Sequence, residues 1–244
     1  MMLGHKQKLA NIHFAHLSNA KHPSERVGRP ERAFGVETLV IQEINRIGNI
    51  TNRRAILDIG SGCGVIAKEL VELAHNNSID LTLMDIQPVL EKLRQDIPDD
   101  QRNSFTGIPG NFPNHWLDTQ KKYDLIIAYS VLHYASSPLD FVIKCVSLLS
   151  ADGILIIGDI PNLDKLRRFR TVDSEDARRP KLLSRILGKN PFDGLTERRL
   201  LKLVRRVRSN GFEAYLYPQN RSLPHSGSRE DLVIFLPSIL EDNN

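Results

Sequence analysis

The chain lacks the features of a disulfide-rich or membrane-spanning protein. It has two cysteines, Cys63 and Cys145, among 244 residues, so no disulfide framework is expected. No apolar run approaches the roughly 18 residues that a membrane helix needs, and the N-terminus has no apolar signal-peptide core. We therefore expect a cytoplasmic protein.

The net charge, the lack of repeats and the composition are those of an ordinary globular protein. The formal net charge is only +4, and there is neither an internal repeat nor a low-complexity tract. Hydrophobic residues make up 41% and charged residues 25%, which is ordinary for a globular protein. The length fits one α/β domain with additions.

The strongest local signal is the stretch 55–64. An apolar run leads into Asp58, and glycines then occupy alternate positions at Gly60, Gly62 and Gly64 before a helical pattern begins. Such a strand, tight turn and helix N-terminus bring unpaired N–H groups close to a polar ligand. The pattern predicts a nucleotide-like ligand.

The spacing of these glycines differs from the dinucleotide fingerprint G-x-G-x-x-G. An aspartate two residues before G-x-G-x-G resembles the first motif of class I S-adenosylmethionine-dependent methyltransferases. The resemblance implies S-adenosyl-L-methionine as cofactor. It assigns the pocket for the methionine part and ribose to Asp58, Gly60, Ser61, Gly62 and Gly64. A nicotinamide dinucleotide site and a glycine turn without ligand remain alternatives.

Polar residues follow the next two predicted strands. Asp85 ends the strand 80–85, where a carboxylate can accept hydrogen bonds from both ribose hydroxyls, and we assign Ile86 to the same pocket. The resemblance implies that Asn111, after the third strand, bonds the adenine amine. Phe112 is a candidate for packing on the adenine face, although a core aromatic is the alternative.

The fourth predicted strand, 124–130, leads into Val131-Leu-His-Tyr134. This stretch resembles the fourth motif of the same family, and the aromatic–proline tetrapeptide of nucleic-acid amino methyltransferases is absent. We take Tyr129 as a cofactor contact, Tyr134 as a substrate contact, and His133 as the first candidate general base, because imidazole titrates near neutral pH. Asp159, after strand five, is the second. A core histidine is the alternative for His133.

The alternation of strands and helices predicts an α/β, Rossmann-like class I methyltransferase fold. We expect a seven-stranded, mostly parallel sheet with helices on both faces and a terminal antiparallel hairpin. Ligands of open parallel sheets bind at the carboxyl ends of the strands, where the polar candidates fall.

We divide the chain into an N-terminal helical extension, 1–50, and a methyltransferase domain, 51–244. The loop 18–32, with Arg29 as a substrate-contact candidate, is interpreted as a solvated connector or as a flap over the cofactor pocket. An insertion at 163–195 is basic: residues 165–208 hold fifteen Lys or Arg against five Asp or Glu. A solvated surface and an anionic acceptor both explain this charge.

The sequence therefore predicts an O-methyltransferase with a small-molecule or carbohydrate acceptor, an anionic one included, and no metal. An RNA methyltransferase is the first alternative, favoured by the basic stretch and disfavoured by the missing stacking motif. A non-catalytic S-adenosylmethionine-binding partner subunit is the second.

Overall fold

A computed structural model of the chain describes residues 5–28, 35–113, 120–172 and 194–237. Arg29 and most of the predicted insertion, residues 173–193, lie outside these ranges. The helices are α1 (His5–Leu17), α2 (Pro23–Arg26), α3 (Glu37–Gly48), α4 (Val65–Asn77), α5 (Gln87–Asp96), α6 (Pro138–Ser147), α7 (Leu163–Val172) and α8 (Glu197–Arg208). The strands are β1 (Ala55–Ile59), β2 (Asp80–Asp85), β3 (Phe105–Pro109), β4 (Tyr123–Tyr129), β5 (Leu149–Pro161), β6 (Glu213–Pro218) and β7 (Arg229–Phe235).

The strands form one seven-stranded sheet in the order β3-β2-β1-β4-β5-β7-β6. The first five strands pair in parallel, whereas β7 runs antiparallel to both β5 and β6. The predicted fold class is confirmed. The strand order reverses between β1 and β4, and in open α/β sheets such a switch point marks the ligand crevice.

Helices cover both faces of the sheet, and each face has its own apolar core. On one face α6 and α8 pack through buried side chains such as Phe141 and Leu200. On the other face α3, α4 and α5 pack through Ile44, Leu70 and Leu93. Helix α3 thus shares the core of the sheet, and the predicted division at residue 50 stays a prediction.

Helix starts are encoded locally. Ser137 caps α6 by accepting a hydrogen bond from the Asp140 amide, and Thr196 caps α8 by accepting one from the Arg199 amide. Proline occupies the first turn of α5 and α6, where its missing N–H costs no hydrogen bond. Because these signals are short-range, the starts of α5, α6 and α8 could be predicted from the sequence.

Two local expectations are wrong. Strand five was expected at 154–157, with a turn at Asp152–Gly153, but β5 runs from Leu149 to Pro161 because β4 and β7 pair with it through register shifts. The loop 18–32 was expected to be continuous, but its described part contains the short helix α2.

Candidate active site

A cavity of about 270 Å³ opens at the carboxyl ends of the parallel strands. This is close to the lower end of the roughly 300–1,000 Å³ of typical ligand sites. All predicted site residues within the described ranges line it: Asp58, Gly60, Ser61, Gly62, Gly64, Asp85, Ile86, Asn111, Phe112, Tyr129, His133, Tyr134 and Asp159. Parallel strand ends bring these residues together from five separate stretches of chain.

The turn between β1 and α4 requires glycine. Gly60 has φ +70° and Gly62 has φ +68°, a left-handed conformation that side chains disfavour. A Cβ on Gly60 would lie 2.5 Å from Cγ2 of Val131. The Gly60 amide donates to the Met84 carbonyl at 2.7 Å, which ties the turn to the end of β2.

Asp85 is held by backbone amides. Its Oδ2 accepts from the Gly62 amide at 2.8 Å and its Oδ1 from the Ile86 amide at 2.7 Å. Each carboxylate oxygen has two lone pairs, so both can accept one further hydrogen bond from a ligand. Burial raises the pKa of Asp85 to about 6, while the two amide hydrogen bonds act in the opposite direction. At neutral pH the group is mainly a charged acceptor that suits a pair of ribose hydroxyls.

Asp58 differs in its protonation. Burial, followed by the charge of Asp85, raises the pKa of Asp58 to about 8. Neighbouring carboxyl groups in a buried site divide in this way because two close negative charges are costly. Asp58 is mainly a neutral acid at pH 7 and can donate a hydrogen bond, whereas Asp85 can only accept.

Asn111 and Phe112 follow β3 at the edge of the cavity. The Phe112 ring is 7% exposed and packs edge-to-face on Phe141, with ring centroids 5.0 Å apart. Phe112 therefore belongs to the apolar core as well as to the cavity lining. Contacts of either residue with adenine stay predictions.

Side chains from β4, β5 and β7 form a polar network at the other end of the cavity. The Gln219 amide donates to the Tyr129 hydroxyl at 3.0 Å and to Asp159 Oδ1 at 3.4 Å. Arg229 pairs with Asp159, its Nε lying 3.6 Å from Oδ1. The sequence pattern missed Gln219 and Arg229, because the pairing of β6 and β7 with each other and of β7 with β5 is what brings the end of β6 and the start of β7 to this end of the sheet.

His133 and Tyr134 form a short 3₁₀ turn after β4. The His133 ring is 7% exposed and lies 4.2 Å from the Tyr134 ring, which contacts Phe14 of α1 edge-to-face. Burial and then the positive charge of Arg229 lower the pKa of His133 to about 4, although Asp159 raises it. The expectation of a pKa near neutrality is wrong, but the neutral ring at pH 7 is the form that accepts a proton.

The N-terminal segment reaches the glycine turn. Residues 23–28 line the cavity in part through Arg26, Val27 and Gly28. Ser24 and Arg26 are buried, whereas Lys21, His22 and Glu25 are exposed, so the described part of this stretch is only partly solvated. No local sequence signal identifies this contact, since it joins segments far apart in the chain.

Within the described ranges, no helix has the length and apolarity to cross a bilayer. The same residues contain no group of three or more His, Cys, Asp or Glu side chains that could hold a metal ion.

Residues 57–155 match a family model described as a methyltransferase domain. The ubiquinone biosynthesis O-methyltransferase of Rickettsia conorii is 23% identical over 177 residues, which are 65% of this chain and 58% of that protein. The chain thus matches little more than half the length of this curated relative.

Solved structures share the fold at low identity. The plantazolicin methyltransferase BpumL, crystallised with a triazolic desmethylPZN analog and SAH, superimposes with a TM-score of 0.64. It is 15% identical, and the match covers 95% of this chain and 99% of that one. The glycopeptide N-methyltransferase MtfA, complexed with sinefungin, gives a TM-score of 0.56 at 14% identity, covering 82% and 87%.

The fold is shared with solved methyltransferase structures, and the glycine turn lies within the matched methyltransferase domain. The match shows a methyltransferase domain over residues 57–155, and the cofactor of such a domain is S-adenosylmethionine. The two free oxygen lone pairs of Asp85 and the turn without side chains at Gly60 and Gly62 fit the sugar of that cofactor.

Proposed function

We propose that the protein methylates a hydroxyl oxygen of a small-molecule acceptor. The observation that supports this most is the composition of the cavity at the carboxyl ends of the strands. An amide-held carboxylate lies beside the glycine turn at one end, and a buried neutral histidine lies at the other. When bound, S-adenosylmethionine supplies a methyl group on a positively charged sulfur.

Binding of the cofactor is assigned to the glycine-turn end. Asp85 accepts from the ribose hydroxyls, the neutral Asp58 and the Gly60–Gly64 turn surround the methionine part, and Asn111 faces the adenine. The Asp85 carboxylate is pre-ordered by its two backbone hydrogen bonds, so little ordering cost remains for this contact at binding.

At the other end, the chain orients the acceptor and accepts its proton. His133, neutral at pH 7, accepts the proton of the acceptor hydroxyl. A general base whose pKa matches the working pH contributes about 10²–10⁴ in rate, and a ring with a pKa of about 4 is a weaker base, so this factor is an upper bound for His133. Tyr134 and Phe14 enclose the acceptor, and such alignment supplies about 7–11 kcal/mol of the barrier reduction in favourable cases. Asp159 is paired with Arg229, so this end of the cavity holds both signs of charge. A small neutral or hydrogen-bonding acceptor fits it better than a strongly anionic one.

A nucleic-acid acceptor is the second candidate, and one observation favours it. Helix α8 presents six exposed cations, and the helix contains one acidic residue, Glu197. These cations are Arg198, Arg199, Lys202, Arg205, Arg206 and Arg208. Like charges three or four residues apart cost about 0.2–0.5 kcal/mol per pair, so an external polyanion would relieve a real repulsion.

A transfer assay tests the proposal. The purified protein is incubated with methyl-tritiated S-adenosylmethionine and, separately, with phenolic compounds, sugars or single-stranded RNA. Label in a phenolic or sugar product supports O-methylation, and label in RNA moves the second candidate to first place. Binding of a nicotinamide dinucleotide, without binding of S-adenosylmethionine or its demethylated product, would overturn the whole assignment.

A further inference from the structure

We propose that residues 23–28, which we call the strap, are a working part of the cofactor site. In this proposal the Arg26–Asp96 ion pair holds the strap against the glycine turn and thereby sets how fast cofactor and demethylated product leave. The inference rests on the proposed function and assigns positioning residues to it.

The strap touches the glycine turn directly. Cγ1 of Val27 lies 2.7 Å from the position of a Cβ on Gly62 and 2.9 Å from that of a Cβ on Gly64. The Pro23 carbonyl oxygen lies 3.2 Å from the latter position. Any side chain at Gly62 or Gly64 would therefore displace Val27. The second and third glycines of the motif make room for the strap in addition to any role toward the ligand.

One ion pair anchors the strap to the domain. The Arg26 guanidinium binds the Asp96 carboxylate at the end of α5, with 9% and 14% of the two side chains exposed. Its Nε also donates to the Ala20 carbonyl at 2.8 Å, so the same side chain also holds the segment that precedes α2. A buried pair of this kind is far more sensitive to loss of one partner than a surface pair.

Three cationic side chains surround the single negative charge of Asp96. Lys68 Nζ lies 3.2 Å from Oδ2 and Lys92 Nζ lies 2.8 Å from Oδ1 of the same carboxylate. Burial and then Arg26 lower the pKa of Lys68, which reflects the crowding of cations. Three cations around one carboxylate repel each other, so closure of the strap depends on Asp96.

Lys92 provides a matched control. It shares Asp96 with Arg26 but lies on α5 and is not among the residues that line the cavity. Arg26→Gln and Lys92→Gln therefore remove the same charge from the same carboxylate, and only the first releases the strap.

The experiment measures binding and dissociation of S-adenosylhomocysteine by surface plasmon resonance on the full chain, with circular dichroism to confirm folding. We expect Arg26→Gln to dissociate the product at least fivefold faster, Arg26→Lys to recover part of the loss, and Lys92→Gln to stay within twofold of the parent. Val27→Ala, which keeps the ion pair but trims the contact with the turn, should also dissociate faster and serves if Arg26→Gln does not fold.

The outcomes separate this inference from the proposed function. Equal dissociation rates for parent, Arg26→Gln and Val27→Ala overturn the strap while leaving cofactor binding intact. An equal increase of the dissociation rate in Arg26→Gln and Lys92→Gln also overturns it, because the increase would then follow from the loss of a positive charge near Asp96 and not from release of the strap. Absence of binding by the parent protein overturns the proposed function and the strap with it.

Discussion

Ser130 and Asp159 hold each other at the ends of neighbouring strands. Both have left-handed backbones, with φ +59° and +58°, and the Ser130 hydroxyl donates to Oδ2 of Asp159. Left-handed residues other than glycine cost of order 1–3 kcal/mol each and cluster at functional sites. Because the other carboxylate oxygen faces Arg229 and Gln219, Asp159 is committed to protein partners.

We therefore expect Asp159 to position its neighbours without taking part in proton transfer, so that Asp159→Asn lowers turnover only modestly. The amide oxygen still accepts from Ser130, whereas the charge that pairs with Arg229 is lost. Turnover should fall by no more than about tenfold, the scale of one ordinary hydrogen bond. A fall of about 10²–10⁴, measured as kcat at saturating substrate, would instead make Asp159 the general base.

His133→Ala should reduce kcat by up to about 10²–10⁴ with little change in affinity for S-adenosylmethionine. The ring accepts the acceptor's proton and is not assigned a contact with the cofactor. Steady-state kinetics and calorimetry measure the two effects separately. His75→Ala is the matched control, since His75 lies half-exposed on α4 and hydrogen-bonds Ser104. Unchanged kcat in His133→Ala would remove the histidine from the mechanism.

Asp85→Asn should weaken binding of S-adenosylmethionine about 10- to 100-fold, because hydrogen bonds to a charged acceptor contribute about 1.5–3 kcal/mol. Asp80→Asn is the control at the opposite end of β2, where Asp80 pairs with Lys121 at 2.9 Å. Isothermal titration calorimetry measures both dissociation constants. Similar values for the two variants would contradict the assigned role of Asp85.

The pKa of Asp58 predicts how the stability of the ligand-free protein depends on pH. Its folded pKa of about 8 lies above the usual value of 3.8. The folded state then binds the proton more tightly, so this group's stabilisation is present at low pH and is lost as pH rises from about 4 to about 8. Asp58→Asn resembles the neutral acid, so we expect its stability relative to the parent to increase across that interval. Urea unfolding at pH 5 and pH 8 measures this, and an equal difference at both pH values would contradict it.

Gly60→Ala should destabilise the protein more than Gly211→Ala. Both glycines have positive φ, +70° and +85°, so alanine is strained at each by about 1–2 kcal/mol. At Gly60 the added Cβ also meets Val131, whereas nothing lies within 4 Å at Gly211. The difference between the losses of unfolding free energy in the two variants measures the steric clash of the added Cβ with Val131. Equal losses would show that Val131 can move aside.

The sequence predicted those elements of the fold that depend on interactions between residues close together in the chain. The strand–glycine–helix unit at 55–64, the carboxylate ending β2 and the proline-started helices all follow from neighbouring residues, and the structure confirms those elements. Their ligand contacts stay predictions.

Contacts across long stretches of chain could not be predicted in this way. Arg26 meets Asp96 seventy residues away, and Arg229 meets Asp159, also seventy residues away in sequence. The environment that lowers the pKa of His133 depends on the same distant charge of Arg229. Such pairings follow from the packed fold, and no local spacing encodes them.

The reversed direction of β7 has a consequence for evolution and engineering. A strand that runs against its neighbours places its beginning where theirs finish, so Arg229 and the residues just before it border the end of the cavity that we assign to the acceptor. The residues that we assign to the nucleoside come from β1, β2 and β3, on the other side of the switch point. We therefore expect that exchange of the segment between β6 and β7 alters which compound is methylated and leaves the affinity for the methyl donor unchanged.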